Sequence, residues 1–275
     1  MTHRCILSVI SFILYSFTSF AQNALDTTLF YNHLKKNHLW TEQITFNKQL
    51  QNVYSNNHTI MDSLQLDLAL LYHQLHLLDS SKNILLRMST QALLSENNNK
   101  NYCSLLMIYK QFHKLQQRMD SSLILMPEIY RKENELSIKI LNRTLSQTDS
   151  QYFDMYSISP VILDIKNKYI HHPHYSVVLA GTYSALIPGL GKWYIGNKKQ
   201  ALSAFIMNTL LAAQAIESYS KVGVKTARFI ITSSLFGIFY TGNIIGSMAM
   251  AKKKKRDYLK QLDYEIYNYY GTTFN

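Results

Sequence analysis

The residues best suited to chemistry in this chain are His171, His172 and His174, interrupted by Pro173. Clustered imidazoles are common zinc ligands. No cysteine or carboxylate stands close enough to complete a site, and the proline prevents one helix from presenting all three rings. The stretch reads as a solvated linker, and no metal is expected. A second candidate is the glycine-rich run Pro188-Gly189-Leu190-Gly191-Lys192-Trp193-Tyr194-Ile195-Gly196. Loops that cradle phosphates follow a strand and space their glycines as GxxxxGK[ST] or GxGxxG. Neither spacing occurs and no strand precedes the run, so no nucleotide cofactor is expected. No Ser/His/Asp spacing suggests a nucleophile. Glu217 and Asp257 lie beside apolar spans, where solvated or lysine-paired roles suffice. Cys5 falls in a segment expected to be removed, which leaves Cys103 as a small buried apolar residue. No catalysis is expected.

The elements around these residues explain more. Residues 1–21 read as a secretory signal: Arg4, then an apolar stretch from Ile6 to Tyr15, then Ser19-Phe20-Ala21 as a cleavage site. The chain from Gln22 onward is expected outside the cytoplasm. Residues 22–147 lack glycine, contain one proline, Pro127, and repeat apolar residues at three- and four-residue spacing, the pattern of amphipathic helices. Breaks fall at Ser55-Asn56-Asn57-His58 and at Ser95-Glu96-Asn97-Asn98-Asn99. A short motif recurs as Phe30-Tyr31-Asn32-His33-Leu34, Leu71-Tyr72-His73-Gln74-Leu75 and Ile108-Tyr109-Lys110-Gln111-Phe112, its tyrosines 41 and 37 residues apart. Helical hairpins with this layout must stack to bury their apolar faces. The stretch resembles the tetratricopeptide repeat family, and the resemblance implies a concave surface that binds a protein partner.

Residues 148–174 change character. Pro160 to Ile170 forms one amphipathic helix, with Val161, Ile162, Ile165 and Tyr169 on one side. Residues 175–251 are expected to form a membrane module. Leu202 to Ile216 and Phe229 to Ala251 both approach the ~20 residues a bilayer crossing needs, and Gly223 suits the turn between them. Pro188, Gly189, Gly191, Tyr194 and Gly196 form a turn motif before the hairpin. Trp193, Lys198 and Lys199 suit the lipid headgroup level. Lys252, Lys253, Lys254, Lys255 and Arg256 close the hairpin and favour the cytoplasmic side. With repeats outside and these lysines inside, Tyr175 to Gly191 would have to supply a third crossing; the alternatives are an uncleaved signal with cytoplasmic repeats, or a hairpin with both ends outside. Asn208 and Asn243 are expected to meet, because asparagine in lipid needs a partner. Gly242 and Gly246 form a GxxxG, which with Gly237 could seat a partner helix or a second copy of the chain. Residues 252–275, a basic, tyrosine-rich tail, read as a short interfacial helix with Leu259, Leu262, Ile266 and Tyr270 on one face.

Charge agrees with this division. From Tyr175 onward twelve Lys and Arg stand against four Asp and Glu, a net of +8 within the chain's +11. A local basic excess suits anionic lipid. The basic residues flank apolar spans and are not interleaved with exposed aromatics, so nucleic acid is not expected as a partner.

Ser184-Ala185-Leu186-Ile187-Pro188-Gly189-Leu190-Gly191 with Tyr194 and Gly196 resembles a family of bacterial envelope proteins of uncharacterised function. These pair a signal peptide and helical repeats with a C-terminal hairpin carrying this motif. More distantly it looks like the transmembrane-2 domain, although the His-Arg-Phe that usually precedes its tyrosine is missing. The resemblance implies an integral protein of a bacterial cell envelope, in the inner membrane with its repeats in the periplasm. The fold class is therefore all-α: tetratricopeptide-like helical hairpins followed by a transmembrane helical hairpin. The functional expectation is a scaffold or adaptor, with an accessory subunit of an envelope transport or assembly complex as the alternative.

Overall fold

The computed structural model describes residues 27–89, 94–121, 126–172 and 175–272. The expected signal segment, His174 and part of the histidine cluster lie outside them. The described residues are all-helical, with thirteen helices and no strand. They divide into two units, residues 1–134 with 269–275 and residues 135–268.

The first unit begins with α1 (27–36), α2 (Trp40–Val53), α3 (His58–Gln74), α4 (Leu78–Arg87), α5 (Glu96–Ile108) and α6 (Phe112–Asp120). It also takes in the start of α7 (Glu128–Leu141). Tight turns join α1 to α2, α3 to α4 and α5 to α6. At each turn one residue holds positive φ: His38 at 56°, His76 at 59° and Lys110 at 58°. The next amide reaches back five residues, Leu39 to Leu34, Leu77 to Tyr72 and Gln111 to Leu106, at 2.8–3.0 Å. This closure satisfies the last carbonyls of the leading helix and normally recruits glycine. Here histidine and lysine take the strained position instead. The same turn recurs in the second unit, where Arg143 sits at 61° and Thr144 reaches back to Lys139. The positive-φ residues are 38, 34 and 33 positions apart.

The polar run at Ser95–Asn99 is not the break its composition suggests. Ser95 accepts from the Asn98 amide at 3.3 Å and caps α5, so Glu96 to Asn99 form that helix's first turn. The core behind it is apolar: Leu66, Ala69, Leu85, Cys103, Leu105, Leu106, Met107 and Leu115 are buried. Burial pushes the Cys103 thiol up to about 12. One charge sits among them. Arg118 is fully buried, bonds Asn99 and lies 5.0 Å over the Tyr102 ring. A buried guanidinium is tolerated only with such partners.

The second unit holds the rest of α7 with α8 (Gln147–Phe153), α9 (Pro160–Ile170), α10 (Val177–Leu186), α11 (Leu190–Tyr194), α12 (Lys198–Val222) and α13 (Ala227–Thr272), whose last residues belong to the first unit. Helix α9 starts and stops at the residues named from sequence. Helix α13 does not end at the lysine run. It continues unbroken for 46 residues, about 69 Å at 1.5 Å per residue. Solvated lysines are good helix formers, so nothing there stops it. The tail is therefore not a separate interfacial helix, and Leu262, Ile266 and Tyr270 are buried in protein. Within the second unit Asp263 takes Arg143 at 2.7 Å and Glu265 takes Lys168 at 3.0 Å. Tyr258 donates to the Lys168 carbonyl at 3.0 Å.

Among the described residues α13 is the one helix long and apolar enough to cross a membrane. Helix α12 has 25 residues but is interrupted by Asn208, Thr209 and Gln214. Helix α10 has ten, about 15 Å, half of a bilayer's hydrocarbon core. The expected third crossing therefore fails on length. It also fails on connectivity: Lys254 donates to the Ile195 carbonyl at 2.6 Å and lies 4.8 Å over the Tyr175 ring, while Tyr175 packs against Tyr194. Residues 175, 195 and 254 therefore lie at one level, and the stretch before α12 returns to the side it started from.

Candidate functional site: a glycine–serine joint and two cavities

The motif that opened the membrane module is a joint that fixes α10 and α11 against α13. Pro188 stops α10 and holds Ile187 extended. Gly189 then takes φ 90°, and a Cβ on it would overlap the Ala201 carbonyl. Gly191 packs so close to α10 that a Cβ would collide with the Ala180 carbonyl oxygen and the Ser184 hydroxyl. A hydrogen-bond chain threads the contact. The Gly191 amide donates to Ser184 Oγ at 3.1 Å, Ser184 donates to Ser247 at 2.7 Å, and Ser247 donates to the Asn243 carbonyl at 2.8 Å. All these groups are buried, so each bond removes a costly desolvated group. Gly196, also at φ 90°, turns the chain into α12.

Tyr194 braces the joint from outside. Its ring packs against Tyr175 and Tyr183, and its hydroxyl accepts from the Ser176 amide at 3.2 Å. Tyr240 donates to the Ala185 carbonyl. The amides of Leu190, Gly191, Trp193, Gly196 and Asn197 are all bonded within the chain, which leaves them no phosphate to hold. The Pro-Gly signal in the sequence marked this turn. The serines and Gly181, whose Cβ would press on Met248, carried no such signal.

Trp193 is exposed, with the Lys198 ammonium 5.8 Å over its ring. Lys199, Lys252, Lys253, Lys255 and Arg256 are exposed as well. Lys254 departs from them: it bonds the Ile195 carbonyl and lies 4.8 Å over Tyr175.

Helices α12 and α13 run antiparallel. Tyr219 meets Phe229 at the turn, and Asn197 meets Met250 at the far end. Between these ends lies a cavity of about 510 Å³. Asn208 and Asn243 both line it and both are buried. They do not bond each other as expected. Asn208 donates to the Ala204 carbonyl of its own helix at 2.8 Å, while its Oδ1 and both polar atoms of Asn243 have no partner. A Cβ on Gly237, Gly242 or Gly246 would meet nothing within 4 Å, so α10 and α12 do not sit on the GxxxG face. It is Gly181 of α10 that gives close approach to α13.

The first unit has its own concavity, about 140 Å³, where α1, α2, α3 and α5 converge. Gln43, Gln74, Asn97, Asn98 and Asn101 supply amides to it, and Tyr31, Lys35, Trp40, Asp67, Leu70 and Leu71 complete the wall. Gln43 Oε1 is buried without a partner. Burial raises the Asp67 carboxyl from 3.8 to about 6, opposed by Lys35 and by a Tyr31 hydrogen bond. Burial, with the Asp67 charge, pushes the Tyr31 phenol up to about 12.

His171 and His172 turn their Nδ1 atoms to the Asn167 and Tyr169 carbonyls, at 3.0 and 2.8 Å. No group of three His, Cys, Asp or Glu is set to hold a metal among the described residues. Compared with protein-family models, with curated proteins and with solved structures, the chain gives no match.

Proposed function

We propose that this chain is a non-catalytic adaptor of a bacterial cell envelope, held in the membrane by α12 and α13, whose N-terminal helical unit binds a protein partner. The observation that carries the reading is the orientation of side chains on the last two helices. Leu202, Phe205, Ile206, Leu210, Ile231 and Ile238 point outward, while Ser247, Asn208 and Asn243 point inward. An aqueous protein does not leave so large an apolar face uncovered. The partner contact is assigned to the cavity of the first unit, whose amides suit the backbone of an extended peptide.

The contacts of Tyr175 with Lys254 and Tyr194, which return the stretch before α12 to the side it started from, support two crossings with both flanks of the hairpin on one side. A cleaved signal makes that side the periplasm of the inner membrane; the signal then overrides Lys252 to Arg256, whose charge favours the cytoplasm, and leaves Lys221, Lys225 and Arg228 at the cytoplasmic turn. The test is alkaline extraction of membranes followed by protease treatment of spheroplasts. The chain stays in the membrane, and both the N-terminal unit and the tail are cleaved from outside. A photo-crosslinking residue at Asn98 captures the partner, and the same residue at Val53 does not. A second reading, an accessory subunit of a transport or assembly complex, draws on the bare Gly242 and Gly246 face. A helix of another subunit or a second copy of the chain would fit it.

A further inference from the structure

The cavity between α12 and α13 contains groups the fold leaves unsatisfied. Asn243 is 5% exposed and Asn208 2% exposed. Both residues line a space of about 510 Å³, and beside it one carboxamide and one amide oxygen are buried without a hydrogen bond. That is the size of a small-molecule site, typically ~300–1,000 Å³. Amides left bare at membrane depth are costly, because lipid tails offer no hydrogen bonds.

The lining is ordered by polarity. Lys192 and Gln200 stand at the end where α11 meets α12. Ser203 and Asn243 come next. Asn208 lies at the other end, level with the half-exposed Met207, Ile238 and Phe239. From Gln200 to Asn208 is eight residues along one helix, about 12 Å. A cation, then hydrogen-bonding groups, then a mostly apolar wall is the mirror of an anionic amphiphile. We propose that this cavity binds one anionic phospholipid, with its phosphate at Lys192, its ester linkage at Asn243 and an acyl chain along Ile238 and Phe239. The proposal rests on the membrane reading above.

Other occupants match the wall less well. A metal cation would find no carboxylate in it. Water would satisfy the amides and leave the apolar end empty. Partial burial lowers the affinity of Lys192 for its proton, and a bound phosphate would reverse that cost.

The test is native mass spectrometry of the full-length chain in detergent, titrated with phosphatidylglycerol or phosphatidylcholine. The wild type retains one phosphatidylglycerol per chain and prefers it over phosphatidylcholine by about tenfold, the worth of one good polar contact. Lys192→Gln abolishes the preference. Asn243→Leu lowers retention of both lipids by about tenfold, and Leu210→Val on the outer face changes nothing. Glycerol 3-phosphate, the headgroup without its chains, displaces no lipid. Equal retention by Asn243→Leu, displacement by glycerol 3-phosphate, or lipid-free dimers as the main species would each overturn the site. Flotation of the same variants on phosphatidylglycerol vesicles separates the two readings. Variants that float without retaining a lipid sink the site alone, and a wild type that does not float sinks the anchor with it.

Discussion

The α3–α4 hairpin of the first unit and the α12–α13 hairpin of the second use the same secondary structure to bury opposite things. In α3 and α4 the inward residues are Leu64, Leu66, Leu68, Leu71 and Leu85, joined by Ser81, which donates to the Ala69 carbonyl, and most polar residues face out. In α12 and the apolar part of α13, residues 227–251, the inward residues are Ala201, Asn208, Ser218, Asn243, Ser247 and Ala251, and most leucines and isoleucines face out. Hydrophobic burial drives association in water. In lipid it supplies nothing, so small residues and hydrogen bonds must do the packing. The comparison teaches that solvent, more than helix propensity, decides which face of each helix its neighbours cover.

The largest effects should separate the two hairpin types by core truncation. Leu105 is fully buried on α5, and Leu105→Ala should cost ~2–5 kcal/mol in denaturant unfolding. Ile238, 68% exposed on α13, should tolerate the same truncation within ~0.5 kcal/mol. A large cost at Ile238 would mean that protein covers that face. Ile238→Asp sharpens the point. On a wet surface it is neutral, whereas at membrane depth it should cost ~2.5–3.5 kcal/mol, read as reduced insertion of the hairpin.

Gly191→Ala comes next. Its methyl group would be driven into the backbone of α10, with no flexible side chain to yield. Overpacking of this kind costs ~1–3 kcal/mol, and more when backbone must move. Thermal unfolding in detergent measures it. An unchanged midpoint would show that the joint is looser than its geometry.

How much of this was legible in the sequence depended on whether the signal was local. The all-helical class, α9 and the Pro188-Gly189 turn follow from periodicity and from residues that dictate their own backbone. The four left-handed turns did not, because His38, His76, Lys110 and Arg143 occupy a position that glycine usually announces. The Ser184–Ser247 bond joins residues 63 positions apart, and nothing in either neighbourhood points to the other. Nothing local marks Arg118 as buried, and its partner Asn99 lies 19 positions away in a stretch that read as a break. Asn208 and Asn243 were found by their cost in lipid. That argument located the cavity but not the bond, since Asn208 satisfies its donor on its own helix.

A smaller effect belongs to the first unit and depends on pH. Asp67 has a folded pKa of about 6 against an ordinary 3.8, so the native state binds its proton more tightly than the unfolded chain. The stability from this group is full below pH 3.8 and lost as pH rises through about 6. Two units at about 1.36 kcal/mol each is an upper bound, and partial solvation reduces it to ~1–2 kcal/mol. Asp67→Asn should therefore stabilise the protein by that amount at pH 7 and leave it unchanged at pH 3.5. A side chain retained at such a cost in a cavity fits a role in partner capture. The same substitution should then reduce crosslinking from Asn98.

The smallest effect probes the bare face of α13. Gly242 lies within a helix, and a Cβ added there meets nothing. Replacing an interior helical glycine with alanine removes ~0.5–1 kcal/mol of backbone entropy cost. Gly242→Ala should accordingly raise the unfolding midpoint slightly in detergent, opposite in sign to Gly191→Ala on α11. The two glycines look alike in the sequence, and only their surroundings set the sign. A fall in the midpoint would mean that a helix of a second copy or another subunit already rests on Gly242. The inward-polar hairpin would then be half of a larger helical packing.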